Sequence, residues 1–306
     1  MNDRKVASNS RLGFIGLGYL GSRIARRLVA AGFPMVVHDR DREKTKELAA
    51  LGAEVAPDAE ALAQDVDVVL SCLTNDAAVK DVYLGTDKLL ESARPSTRIV
   101  ELSTIAPETS RQVHDAAAKL EISMLDVAVS GSTAAAEAGK LTLFGGGERR
   151  VFEAVEPIFA PMAGQWFYMG PSGSGVAMKL VVNTLLGLGM QSIAEAVALG
   201  SGLGLPRDLL LDTLAKTAVV APAHAGKLAT AKRNDYAPQF PIRLMEKDFR
   251  LVLTAAAQCG LSMPATEAAA VVNSAEAAAG GEEDFSAVIR RMEEQLAVAH
   301  VLPPVA

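Results

Sequence analysis

Cysteine is almost absent from this sequence: of 306 residues only Cys72 and Cys259 carry a thiol. Two cysteines so far apart make neither a disulfide framework nor a thiolate metal site, and a reducing, cytoplasmic compartment is the expectation. Histidine is nearly as scarce. His38, His114, His224 and His300 lie at no ligand spacing, so no metal is expected; His224, between Pro222 and Gly226, reads as a surface-loop residue. A basic excess is missing too. The 30 Lys and Arg against 36 Asp and Glu leave a formal charge of -6, which argues against nucleic acid or an anionic membrane as partner. No long apolar run is unbroken. The greasiest stretch, residues 181–200, is interrupted by Asn183, Gln191, Ser192 and Glu195, and residues 1–10 are polar, so neither a membrane span nor a signal peptide is expected. The length suits two domains with substantial cores.

Against these absences stands one dense pattern, Gly16-Leu17-Gly18-Tyr19-Leu20-Gly21. It follows an apolar run at 11–15 and opens a segment, 22–31, whose Ile24, Ala25, Leu28 and Val29 recur at helical spacing. In that context Gly16 makes a tight turn, Gly18 lets a pyrophosphate approach the backbone, and Gly21 lets helix and strand pack closely. The phosphates would face the positive end of the helix dipole. Asp39, at the end of the next apolar run, is the acidic residue that such a site uses to accept hydrogen bonds from ribose hydroxyls, which favours NAD. Arg40 beside it is a partner for the 2′-phosphate of NADP. The cofactor is therefore NAD or NADP, with Asp39 tipping the balance to NAD.

The first half alternates short apolar runs (35–39, 66–71, 98–102) with helical stretches (43–51, 77–83, 107–120), which predicts a doubly wound parallel sheet of the Rossmann type. Segments 122–127, 141–144 and 166–169 extend it. After Gly170-Pro171-Ser172-Gly173-Ser174-Gly175 the texture changes to alanine- and leucine-rich helical periodicity without strands, beginning with one long helix over 176–203. Two domains follow: residues 1–172 for dinucleotide binding and 173–306 as a helical domain for substrate and dimerisation. Lys179 and Asn183, four apart early in the long helix, share one face. A lysine near the positive end of the dipole and partly desolvated has its ammonium form disfavoured, as proton transfer requires. On spacing alone, a solvated lysine with a helix-surface asparagine is the favoured account of the pair.

The chain resembles the β-hydroxyacid dehydrogenases, the family of 3-hydroxyisobutyrate dehydrogenases and glyoxylate/succinic semialdehyde reductases. The resemblance is carried by GFIGLGYLG at 13–21, ELSTIAPET at 101–109, DVAVSGS at 126–132, GSGVAMKLVVN at 173–183 and FPIRLMEKD at 240–248. It implies reversible hydride transfer between a nicotinamide and a small 3-hydroxy acid, aldehyde or ketoacid, with Lys179 as acid/base and Asn183 positioning substrate. It places Leu73, Thr74, Thr104 and Lys247 at the cofactor and Ser130, Gly131 and Ser132 in the carboxylate-binding loop. Lys247 also fits a surface charge cluster with Glu246 and Asp248. The loop departs from the family pattern: Ala128 replaces the usual proline, and Ser132 and Ala135 the usual glycines. That predicts an altered pocket unless both residues adopt ordinary backbone angles. Imine reductases and reductive aminases share the architecture and form the enzymatic alternative; a non-catalytic dinucleotide-binding protein is the other. Similar enzymes bury apolar C-terminal helices against a second subunit, which implies a homodimer or a dimer of dimers.

Overall fold

The computed structural model describes residues 5–85 and 87–299, so His300 lies outside it. The chain divides between Lys179 and Leu180, inside the Ser174–Gly202 helix and not ahead of it at 172. The reason is local. Val176 is buried in the core of the first unit, and the carboxylate of Asp126 accepts hydrogen bonds from the amides of Gly173 at 2.8 Å and Val176 at 3.0 Å. The opening turns of the helix therefore belong to the sheet that precedes them.

The first unit is built on β1 (Leu12–Ile15), β2 (Met35–His38), β3 (Glu54–Val55), β4 (Val68–Ser71), β5 (Arg98–Glu101), β6 (Ser123–Ser130), β7 (Leu141–Gly147) and β8 (Ala163–Gly170). They form one sheet in the order β3-β2-β1-β4-β5-β6-β7-β8. Alternate residues feed two cores: Leu12, Phe14, Val37, Val68 and Leu70 point into one, and Ile15, Val36, Val69 and Ile99 into the other. A sheet apolar on both faces has to be covered on both, which is the doubly wound layout. The sheet is not wholly parallel. β7 runs antiparallel to β6, and β8 parallel to β7. Residues 131–140, which join β6 to β7, are fewer than the dozen or so that a parallel crossover needs. The short elements Glu54–Val55, Ala59–Gln64, Leu89–Ser92 and Thr133–Glu137 carry too few residues for periodicity to register. Arg149–Phe159 is longer, but Pro157 interrupts its pattern.

The second unit is helical throughout its described residues, continuing the long helix and adding Arg207–Leu214, Pro222–Lys232, Ile242–Gln258, Pro264–Gly280 and Val288–Ala299. Proline starts two of these helices: Pro222 and Pro264 occupy first-turn positions, where the missing N–H costs nothing. Asp284 turns the chain into the last helix, its side chain accepting from the Ser286 amide and pairing with the buried Lys227 ammonium at 2.7 Å. The long helix is apolar and long enough by composition to cross a membrane, but Met190, Ile193, Ala194 and Val197 are spent on this unit's core.

Candidate active site

The three glycines after β1 occupy three different environments. Gly16 has φ +91°, and a Cβ there would overlap the carbonyl of Cys72. Gly21 opens the Gly21–Ala30 helix, and a Cβ there would overlap the carbonyl of Gly16. Gly18 faces open space, with no atom within 4 Å of an added Cβ. The first and third glycines thus serve the protein's own close packing, and the second leaves room at the helix end. That end carries no acidic residue in its first turn, so its positive dipole is available to an anion. The residues between the glycines differ accordingly: Leu17 is buried, Leu20 half-buried, and Tyr19 exposed. This cradle fits a dinucleotide pyrophosphate.

Asp39 follows β2 and fastens the loop. Its Oδ2 accepts from the Leu17 amide at 2.7 Å and its Oδ1 from the Asp41 amide at 2.9 Å, with Lys44 Nζ 3.6 Å away. Each carboxylate oxygen has lone pairs for a second donor, so ribose hydroxyls can still bind. Arg40 is exposed and paired with Asp81 and, at 3.8 Å, with Asp87. Its guanidinium already has acidic company.

At the carboxyl ends of β4 and β5, Leu73 and Thr104 are half-buried and Thr74 exposed. The two loops are tied together: the Leu73 amide donates to Ser103 Oγ at 2.6 Å. Ser130 ends β6, and Gly131 takes φ +140°. Ser132, at the position where glycine is usual, has φ -82° and its Oγ accepts from the Ala135 amide, capping the Thr133–Glu137 helix that contains Ala135. Both substitutions sit at ordinary angles, and neither strains the loop.

Lys179 is only 8% exposed, so the solvated reading fails. One helical turn later, in the second unit, Asn183 is 1% exposed, and its Nδ2 donates to Asp248 Oδ2 at 2.5 Å. Asp248 also meets Lys247 Nζ at 2.9 Å. Lys247, at 8% exposure, is no surface charge either. Asn183 Oδ1 is buried with no hydrogen-bond partner among the described residues, an acceptor left over for a ligand donor. His224 departs from expectation: it is buried on the Pro222–Lys232 helix, with Nε2 2.9 Å from the Leu186 carbonyl and Gly189 making room for its ring. A histidine following Pro222 reads as a loop only if the proline is taken to end a helix; here it begins one.

Three buried acids escaped the sequence reading of the site. Asp248 completes the Asn183–Lys247 cluster. Asp126 caps the long helix, and burial pushes its carboxyl up from the ordinary value while the Gly173 and Val176 amides pull it down. Glu101 lies fully buried at the end of β5. For Asp126 and Glu101 the signal was an acid within an apolar run, while Asp248 stood among charged neighbours and looked like a surface residue.

Residues 11–170 match the NAD binding domain of 6-phosphogluconate dehydrogenase, and residues 173–292 match the NAD-binding domain of NADP-dependent 3-hydroxyisobutyrate dehydrogenase. The NAD-dependent L-serine dehydrogenase of Pseudomonas aeruginosa is 36% identical over 261 residues, covering 83% of this chain and 88% of that one. Glyoxylate/succinic semialdehyde reductase 1 of Arabidopsis thaliana is 31% identical, covering 92% of this chain and 98% of that one. Among solved structures, Mycobacterium tuberculosis 3-hydroxyisobutyrate dehydrogenase with L-serine superposes with a TM-score of 0.82 at 30% identity, covering 93% of this chain and 99% of that one. The imine reductase of a Pseudomonas species, at 19% identity and a TM-score of 0.62, shares the fold alone. The glycine cradle, the buried lysines and these relatives converge: the chain belongs to the β-hydroxyacid dehydrogenase family of NAD(P)-dependent oxidoreductases.

Proposed function

We propose that this enzyme interconverts a small 3-hydroxy acid and its aldehyde, with Lys179 as the proton carrier. The observation that carries the reading is the burial of Lys179 on the helix that leaves the dinucleotide-binding unit, one turn before the buried Asn183. In oxidation the neutral Lys179 amine accepts the hydroxyl proton; in reduction its ammonium returns a proton to the developing alkoxide. The nicotinamide supplies the hydride acceptor or donor. Ser130, Gly131 and Ser132 hold the substrate carboxylate, Asn183 orients the hydroxyl-bearing carbon, and Lys247 serves the cofactor. Holding the reacting groups in register is worth several kcal/mol, on the order of the orientation effects of bound reactants.

The relatives direct the choice of substrate. L-serine is itself a 3-hydroxy acid. It gives a 36% identical relative its name, and it accompanies the solved Mycobacterium tuberculosis enzyme. A substrate of this size with an amino or methyl substituent beside the carboxylate is the class we assign. NAD is the assigned cofactor, because Asp39 ends β2 and Arg40 is already paired with Asp81. The protein acts in the cytoplasm as a homodimer or dimer of dimers. Exposed Val181, Leu185 and Leu199 on the long helix, with Val271 on Pro264–Gly280, offer the apolar surface for that assembly.

The test is a turnover panel of L-serine, 3-hydroxyisobutyrate, glyoxylate and succinic semialdehyde with both cofactors. Oxidation of a 3-hydroxy acid with NAD supports the reading. Turnover confined to imines, or no turnover with tight cofactor binding, overturns it.

A further inference from the structure

The carboxyl end of β5 carries an acid for which hydride transfer has no direct use. Ser71 and Glu101 stand opposite one another in the parallel β4–β5 register, so their side chains leave the same face of the sheet. Both are 0% exposed. Ser71 Oγ hydrogen-bonds Glu101 Oε2 and lies 2.5 Å from Tyr83 Oη, which rises from the Asp76–Leu84 helix into the same core. The other oxygen, Glu101 Oε1, accepts from the Ser103 amide at 2.7 Å. Ser103 Oγ in turn accepts from the Leu73 amide at 2.6 Å. The run Tyr83–Ser71–Glu101–Ser103–Leu73 therefore crosses from one βα loop to the next through buried groups.

We infer that Glu101 is a positioning residue for the cofactor, fixing the loop that carries Leu73 and Thr74 against the loop that carries Thr104. The inference rests on the reading that these loops line the cofactor site. Three physical points carry it. Buried polar groups are costly unless fully partnered, so a carboxyl kept inside an apolar core has to be useful in its network. Two of its links end on backbone amides, those of Ser103 and Leu73, so the network sets main-chain positions in both loops. The loops it sets lie beyond the carboxyl ends of adjacent parallel strands, where sheets of this kind bind ligands. Burial also pushes the Glu101 carboxyl up and the Tyr83 hydroxyl well up from their ordinary values, as expected of groups sealed from water.

The test compares Glu101→Leu, Ser103→Ala and Glu101→Gln by fluorescence titration with NADH and by steady-state kinetics. Glu101→Leu cuts the network at its centre, and Ser103→Ala frees the Leu73 amide and takes the Ser103 hydroxyl from Glu101 while the Ser103 amide bond stays. Each is expected to raise the NADH Kd about tenfold, with substrate KM at saturating cofactor close to that of the parent. The double variant should lose little more than either single one, as members of one network do. Glu101→Gln keeps an acceptor for the Ser103 amide and should bind NADH more like the parent than like Glu101→Leu. A role confined to stability would lower the melting temperature and leave NADH affinity alone; that outcome in folded Glu101→Leu, or in Ser103→Ala if Glu101→Leu does not fold, overturns the inference. Thr104→Val separates the two levels. If it leaves NADH affinity unchanged, the loops do not line the cofactor site, and that reading and this inference fall together. If it weakens NADH binding while Glu101→Leu and Ser103→Ala do not, only the positioning role falls.

Discussion

In the first unit the candidate groups for a dinucleotide are backbone: the open face of Gly18, the start of the Gly21–Ala30 helix, and a loop held by Asp39 through the Leu17 amide. In the second unit the candidate groups are side chains, Asn183, Lys247 and Asp248, buried on two helices and held by one another. The difference decides what each region tolerates. A backbone site accepts varied side chains at the exposed Tyr19 but loses close packing or ligand room to a methyl group at its glycines. A site of buried charged side chains presents no peculiar backbone, yet it loses heavily when one partner is removed, because the other stays behind without compensation.

The largest expected effect lies on the helix that leaves the first unit. Lys179→Ala should lower kcat by about two to four orders of magnitude, the usual scale of general acid–base catalysis, with NADH affinity retained; near-normal turnover would remove Lys179 from the chemistry. Asp248→Ala should come next. It strips Lys247 and Asn183 of a buried partner and should destabilise the protein by about 3 kcal/mol, read as the urea midpoint; a change below about 0.5 kcal/mol would mean that the pair is not buried together in solution.

The glycines provide a matched contrast within one loop. Gly16→Ala meets a carbonyl at positive φ and should cost roughly 1–3 kcal/mol of stability. Gly18→Ala meets nothing, so melting should be unchanged while NADH Kd rises about tenfold, or roughly 1.4 kcal/mol. Equal effects on stability would erase the distinction between the two positions. Asp39→Asn keeps an acceptor for Leu17 and removes a charge, so the ratio of kcat/KM for NAD over NADP should fall by about tenfold or less, as suits a partly exposed charge. A strong NADPH preference in the unmodified enzyme would give Arg40 the deciding role.

The smallest effect is a slope. Burial raises the Glu101 carboxyl above its ordinary 4.5, so the folded state retains a proton that the unfolded chain releases. Stability should therefore fall as pH rises from about 4.5 toward the folded-state value, and Glu101→Gln should flatten that limb of the urea-midpoint profile.

Legibility in the sequence follows the same division. The glycine loop and strands β1, β2, β4 and β5 announce themselves because local geometry dictates their residue types: glycine at a positive φ, and apolar runs where both faces of a sheet are buried. Lys179 and Asn183 could be placed on one helix face from spacing, but their burial could not, since it depends on packing between distant segments. Only the resemblance to a family lifted Lys247 out of a surface charge cluster. Asp248, Asp126 and Glu101 stayed silent because their partners lie 65, 47 and 30 residues away, and no short-range pattern encodes such pairs. Ser132 looked like a disturbance and is a helix cap.

The hold of Asp126 on the start of the long helix bears on how such enzymes can be recombined. A cut between 172 and 173 severs this carboxylate from the Gly173 and Val176 amides, leaving a buried acid in one fragment and a fraying helix end in the other. A cut after 179 keeps the bond, and Lys179 then travels with the glycine loop. The proposed proton carrier and the glycine loop are thus inherited as one cassette. A helical half grafted at Leu180 exchanges Asn183, Lys247 and Asp248 and leaves Lys179 and the loop 130–132 in place.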